Sequence, residues 1–157
     1  MKVFPHWLTG CFAAALLSVG ACATSTAPPS ASVSQIVSTT SFGMCVGYCS
    51  TRLEISESGA VLVRSARGGR GGAELPDQRF TTALNAGEWH ELSRLAANAR
   101  IDSLPERIGC PDCADGGAES LSIGARTITF DYGASIAEAQ PLLERVRALR
   151  ARMTPTE

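Results

Sequence analysis

Lysine is almost missing from this chain. Its one example, Lys2, lies at the extreme N-terminus, and the other 13 basic residues are all arginine. Beyond position 2 there is no side chain for Schiff-base or lysine general-base chemistry. Histidine is nearly as scarce: His6 belongs to the N-terminal stretch, which leaves His90 alone in the body of the chain. A Ser-His-Asp or Cys-His hydrolase therefore has little to be assembled from. A concentrated positive footprint is lacking too. The 14 basic and 15 acidic residues leave a net charge of −1, which argues against a nucleic-acid partner. No apolar run suits a mature bilayer span, because the N-terminal one, Trp7 to Val19, falls short of the roughly 20 residues required. There is no internal repeat.

That short run follows another grammar. Lys2 precedes it, and the small residues Val19-Gly20-Ala21 close it directly before Cys22, the order of a signal peptide. A small-residue cleavage site placed just before a cysteine resembles the lipobox of bacterial lipoproteins. The resemblance implies removal of residues 1–21, a diacylglycerol on the Cys22 thiol, and a membrane held through those acyl chains as the first partner. It also implies a body facing an oxidising compartment outside the cytoplasm. Ala23 is not aspartate, which by lipoprotein-sorting analogy places the anchor in an outer membrane, facing the periplasm, where a cell has two membranes. Residues 22–34 then form the lipidated N-terminus and a linker. Ala23 to Ser34 is almost entirely Ala, Ser, Thr and Pro, which cannot bury enough surface to order itself. Residues 35–154 are expected to form a single globular domain, long enough to bury a core without help from cross-links.

Within that domain most of the pattern has period two. Ser50 to Ser56 places Leu53 and Ile55 on one face with Arg52 and Glu54 on the other. Glu57-Ser58-Gly59 is a turn signal, and Ala60 to Arg64 returns as a second strand. Arg79 to Leu84 alternates again, whereas Ala66 to Gly72 is too rich in glycine for a regular element. Asn85 and Glu88 make a capping box before a helix. Its apolar stripe is Trp89, Leu92, Leu95, Ala96 and Ala99. A further hairpin spans Glu119–Ile123 and Arg126–Tyr132 around Gly124-Ala125, with glycine where a type II′ turn wants it. Ser135 and Glu138 repeat the capping signature. Pro141 then suits the first position of a final helix striped by Leu142, Leu143, Val146, Leu149 and Met153. The expected fold is α+β: an antiparallel sheet of about four to five strands with two helices packed on one face.

Four cysteines remain once Cys11 and Cys22 are set aside: Cys45 with Cys49, and Cys110 with Cys113. In an exported domain they read first as disulfides. Their spacing also admits a four-thiolate zinc site or a redox-active pair. Thiolates must stay reduced to hold zinc, and Cys110-Pro111-Asp112-Cys113 leads into Ala114-Asp115-Gly116-Gly117, a loop and not a helix that would activate a thiol. Four cysteines allow three connectivities. An extended Cys45–Cys49 segment would separate its ends by about 13 Å, beyond disulfide reach, unless Gly47 folds it into a turn. Bonds between the two clusters would close loops of about 65 residues and constrain the unfolded chain by about 4 kcal/mol each. On that ground cross-cluster pairing is favoured.

Phe42-Gly43-Met44-Cys45-Val46-Gly47-Tyr48, followed by a strand, a glycine turn and a second strand, resembles a family of bacterial domains often found in lipoproteins. Those open with Cys-Phe-Gly-x-Cys-Pro-x-Tyr before a β-hairpin. The match covers residues 36–64, with a looser likeness in the helix–strand–strand–helix order that follows. Ser41 stands where the family has its first cysteine and Val46 where it has proline, so the family's disulfide pattern does not carry over directly, and Cys49 is a candidate substitute. The resemblance implies fold and location and brings no activity with it.

Asp112, Asp115, Glu119 and Asp131 are the one local group of carboxylates. The first three are the nearest approach to a cation site, but they lack the alternating Asp-x-Asp-x-Asp-Gly pattern, and no metal or other cofactor is expected. Gly68-Gly69-Arg70-Gly71-Gly72 precedes no helix that could hold phosphate. Arg145, Arg147, Arg150 and Arg152 make the last helix basic, which reads first as its wet face and otherwise as a contact with anionic lipid. His90 follows Trp89 at the rim of a buried stripe. Together these features lead to a non-enzymatic, lipid-anchored, disulfide-stapled module of the cell envelope that binds or supports another envelope protein. The rival is a thiol-based zinc-binding or redox protein centred on the two cysteine pairs. A small hydrolase using Asp112, Asp115 or Asp131 would need a pocket joining those carboxylates to Tyr132.

Overall fold

Alternating apolar residues and well-placed turn glycines lay most of the domain out as one sheet. The computed structural model describes residues 32–66 and 75–155. The expected signal segment, Cys11, Cys22, most of the linker and nearly all of the glycine-rich stretch lie outside those residues. Among the described residues there are seven strands: β1 (Gln35–Ser41), β2 (Tyr48–Ser56), β3 (Gly59–Ala66), β4 (Gln78–Thr82), β5 (Arg107–Ile108), β6 (Ala118–Ile123) and β7 (Arg126–Asp131). Two helices, α1 (Ala86–Asn98) and α2 (Gln140–Met153), complete the domain. The class is α+β, with more strands than the four to five expected.

The sheet order is β4-β3-β2-β1-β6-β7-β5. Every neighbouring pair is antiparallel except β5 with β7. The two added strands escape sequence reading for different reasons. β1 carries Gln-Ile-Val-Ser-Thr-Thr-Ser, too polar for a hydrophobic pattern, yet it is the central strand and joins the β2–β3–β4 meander to the β6–β7 hairpin. β5 is two residues long, below the reach of any periodicity. The hairpin turns follow their glycines: Gly59 has φ +135° and Gly124 φ +59°.

Both helices cover one face of the sheet. Ile36, Leu53, Ile55, Ala60, Leu62, Leu121, Ile128 and Phe130 point into that layer and are at most 1 % exposed. They meet Leu92 and Ala96 of α1 and Leu142, Leu143, Val146, Leu149 and Met153 of α2. The opposite face is hydroxylated. Thr39 and Ser120 share a hydrogen bond of 2.6 Å across β1 and β6, and Ser122 and Thr127 one of 2.8 Å across the hairpin. Val33 also packs against the core, so ordered contacts begin just before Gln35.

The Asn85–Glu88 capping box forms in full: the Glu88 amide donates to Asn85 at 2.9 Å and the Asn85 amide donates to Glu88 at 3.0 Å. The second expected box does not form. Ser135 Oγ and the Ile136 amide both donate to the Gln140 side chain instead, and α2 begins with proline in its first turn and no side-chain cap.

Candidate functional site

Sheet register brings both cysteine pairs to one end of the molecule. Ser41 at the end of β1 pairs with Ser50 of β2 and Ala118 of β6, and Ala118 pairs in turn with Asp131 of β7. The β1–β2 connection and the loop before β6 therefore leave the sheet side by side. Cys45 is bonded to Cys49, with Cα atoms 5.5 Å apart, and Cys110 to Cys113, with Cα atoms 5.4 Å apart. The favoured cross-cluster pairing is not the one found. Gly47, at φ +88°, folds the first segment into the turn that brings its ends within reach.

The first loop is closed at its base by the Phe42 amide donating to the Cys49 carbonyl at 3.0 Å. Cys49 is buried, while Met44 is 78 % exposed and Val46 fully so. The second loop is tightly wound. Cys113 N donates to Cys110 O at 2.9 Å and Asp112 N to Gly117 O at 3.0 Å. Asp112, Ala114 and Asp115 all adopt positive φ, at 63°, 50° and 61°. Non-glycine residues persist there only where surrounding contacts over-determine them.

Asp112 is such a contact. Its Oδ1 accepts from the Gly43 amide at 3.1 Å, tying the tip of the Cys110–Cys113 loop to the β1–β2 connection just before Cys45. A Cβ on Gly43 would lie 2.7 Å from Asp112 Oδ2, so any larger residue there has to push the carboxylate aside. Asp131 does the same for the other cysteine pair, Oδ1 accepting from the Cys110 amide at 3.1 Å. The Phe42 and Tyr132 rings meet edge-on at 4.8 Å, and Gly117 lies directly under the Phe42 ring.

The carboxylates do not form the cluster that their spacing suggested. Asp112 and Asp131 are taken up by backbone amides, and Asp115 is exposed. Glu119 faces the other way, into the helix layer, with its side chain fully buried. There it accepts from Arg147 Nε at 3.0 Å, Arg147 Nη2 at 2.8 Å and Arg150 Nη1 at 3.3 Å. Arg150 Nη2 donates to Ser38 of β1, and Arg147 Nη2 also donates to the Ala134 carbonyl at 2.7 Å. Arg150 is 9 % exposed, so half of the inner pair of arginines is core and not wet face. The outer two are surface pairs, Arg145 with Glu91 at 2.7 Å and Arg152 with Glu88 at 3.0 Å.

Among the described residues no group of three or more His, Cys, Asp or Glu could hold a metal ion. A groove does open beside Tyr132, but Gly133, Arg147, Arg150, Ala151, Thr154 and Pro155 line the rest of it, with none of the three aspartates. The pocket that a carboxylate hydrolase would need is therefore not this one. His90 is exposed.

The Glu119–Arg147–Arg150 group went unread in the sequence, although signals for it exist. Glu119 shares the parity of Leu121 and Ile123 along an alternating strand, and Arg150 falls on the Val146–Met153 stripe. A charge at an inward position on each of two packed elements points to a buried pair. Compared with family models and with curated proteins, the chain matches none.

Proposed function

We propose that this protein is a non-enzymatic, lipid-anchored module of the cell envelope that binds another envelope protein through the end of the sheet carrying both disulfides. One observation supports it above others. Met44 and Val46 stand out in solvent on the β1–β2 connection, next to and within the turn closed by Cys45–Cys49, and the Gly43–Asp112 hydrogen bond ties that connection to the loop closed by Cys110–Cys113. Large apolar side chains held rigidly in water are a cost to a monomer and an asset to an interface, because little ordering entropy is left to lose on binding. The disulfides also suit a compartment outside the cytoplasm. Among the described residues no helix is long and apolar enough to cross a membrane, and the proposed anchor at Cys22 supplies attachment by lipid instead.

The zinc reading would need the four sulfurs to converge as thiolates, whereas each pairs with its near neighbour. For the redox reading, Cys110 and Cys113 are both exposed, but Asp112 between them disfavours a reactive thiolate.

Intact-mass measurement of protein purified from membranes without reductant tests the proposal. It should show loss of residues 1–21, a diacylglycerol-sized addition, and alkylation of the four remaining cysteines only after reduction. A chain retaining Met1 with free thiols or bound zinc would replace this proposal with its rival. A photo-reactive residue at Val46 should in addition cross-link one discrete envelope protein in cells. The adduct should vanish on Met44→Ser, and an equal adduct from a probe at Thr127 would show the assigned surface to be wrong.

A further inference from the structure

We propose that the groove between Tyr132 and the C-terminal half of α2 binds an oxyanion, a single carboxylate or phosphate group carried on a small apolar body. The inference does not depend on the lipid anchor or on the disulfide end.

Charge supplies the first reason. Glu119 contributes one negative charge to a site in which Arg147 and Arg150 contribute two positive ones, and no other described carboxylate pairs with either arginine. The two side chains are only 25 % and 11 % exposed. One guanidinium charge is thus left without a counter-ion beside the groove, where an arriving anion would offset it. Arg150 Nε shows the same imbalance, being buried with no hydrogen-bond partner.

Donor geometry supplies the second. Arg147 spends Nε and Nη2 on Glu119 and the Ala134 carbonyl, which leaves the Nη1 donors uncommitted. The guanidinium is already fixed by those bonds, so an incoming oxyanion orders nothing further and gains a charge-assisted hydrogen bond. The carboxylates nearby do not compete. Asp131 has the parity of Thr129, on the hydroxylated face, and is held by the Cys110 amide. The carbonyl of Arg150 at the negative end of α2 is satisfied by the Thr154 amide at 3.0 Å and hydroxyl at 2.9 Å.

Shape supplies the third. The groove encloses about 500 Å³, within the range of small-molecule sites. Tyr132 is half exposed, and with Ala151 and Pro155 it offers apolar surface next to the charge. That combination suits an aryl or short alkyl carboxylate or phosphate monoester better than a bare inorganic ion.

Calorimetric titration of the full-length protein in neutral detergent tests the assignment, with benzoate and phenyl phosphate as probes and benzamide as the uncharged control. Benzoate or phenyl phosphate should bind saturably, and benzamide roughly tenfold to a hundredfold more weakly, the range of one hydrogen bond to a charged group. Arg147→Gln should abolish binding. Because that change also disturbs Glu119, Ala151→Phe is the decisive variant: it fills the groove from an exposed position and should remove binding while leaving the melting temperature unchanged. Vesicles with phosphatidylglycerol, compared with phosphatidylcholine alone, identify the source of the anion. Retention on the anionic vesicles lost in Ala151→Phe assigns a lipid headgroup, and probe binding without it a soluble ligand; either supports the site. Equal affinity for benzoate and benzamide, absence of binding by both anionic probes, or unchanged affinity in Ala151→Phe would overturn it.

Discussion

Replacing Glu119 by glutamine removes the only carboxylate among the described residues that balances Arg147 and Arg150, while keeping the side chain's shape. The carboxylate is completely buried and accepts from both guanidinium groups, at 2.8 to 3.3 Å. Glutamine keeps one acceptor oxygen but turns an amide with two donors toward groups that can only donate. Breaking a buried pair on one side costs about 3–5 kcal/mol, because the partner charge stays behind uncompensated. The outer pair Arg145–Glu91, with side chains 49 % and 41 % exposed, provides an internal reference at about 0.2–1 kcal/mol. Urea unfolding should therefore separate Glu119→Gln from Glu91→Gln by at least about 2 kcal/mol, through the midpoint and without a change in slope. In a thermal scan that gap amounts to roughly 4–8 °C at this chain length. Replacing all three residues, Glu119, Arg147 and Arg150, by methionine should recover most of the loss, since apolar packing can substitute for a buried ionic group. Equal stability of the two glutamine variants would refute the reasoning and reduce the Glu119 group to a surface-strength interaction.

Four further outcomes follow from the geometry. Gly43→Ala places a methyl group against the Asp112 carboxylate and should cost about 1–2 kcal/mol; combined with Asp112→Ala the two losses should be strongly non-additive, and additivity within about 0.5 kcal/mol would dismiss the latch between the loops. Serine in place of both Cys45 and Cys49, or of both Cys110 and Cys113, should lower stability by only about 2 kcal/mol per bond, because each closes a very short loop, and peptide mapping should recover no peptide that joins the two clusters. Asn85→Ala should cost about 1 kcal/mol at the start of α1. The Asn85 backbone amide, and then Arg152, hold the Glu88 carboxyl below the usual value of 4.5. A depressed folded-state pKa means that Glu88 stabilises the fold above pH 4.5 and loses that contribution as pH falls through the lower value, so the difference between Glu88→Gln and the parent should shrink below pH 4.5 in an unfolding series.

Local chemistry was legible wherever it was self-contained. The Asn85–Glu88 box, the glycines at 59 and 124, the β2–β3 and β6–β7 hairpins and the stripes of both helices each rest on residues within a few positions of one another. Pairing across long separations was not. β1 is central because β6, about 80 positions later, pairs with its backbone groups; Ser38 and Thr40 reveal nothing of this by composition, although both are buried. The disulfide partners were misjudged for a related reason. Loop-closure entropy belongs to the unfolded chain and favours distant bonds, whereas the folded chain decides by reach, and the turn at Gly47 puts Cys45 beside Cys49.

From its residues alone the chain specifies an α+β domain, two helices with their buried stripes, and four cysteines that belong in disulfides. These are consequences of periodicity and turn chemistry, which act over one or two turns of backbone. Only the assembled sheet decided that both disulfide loops share one end, that Asp112 ties them together, and that Glu119 turns inward to meet two arginines of α2. Each of those contacts joins segments far apart along the chain, and strand register, set by the burial of one face, is what aligns them.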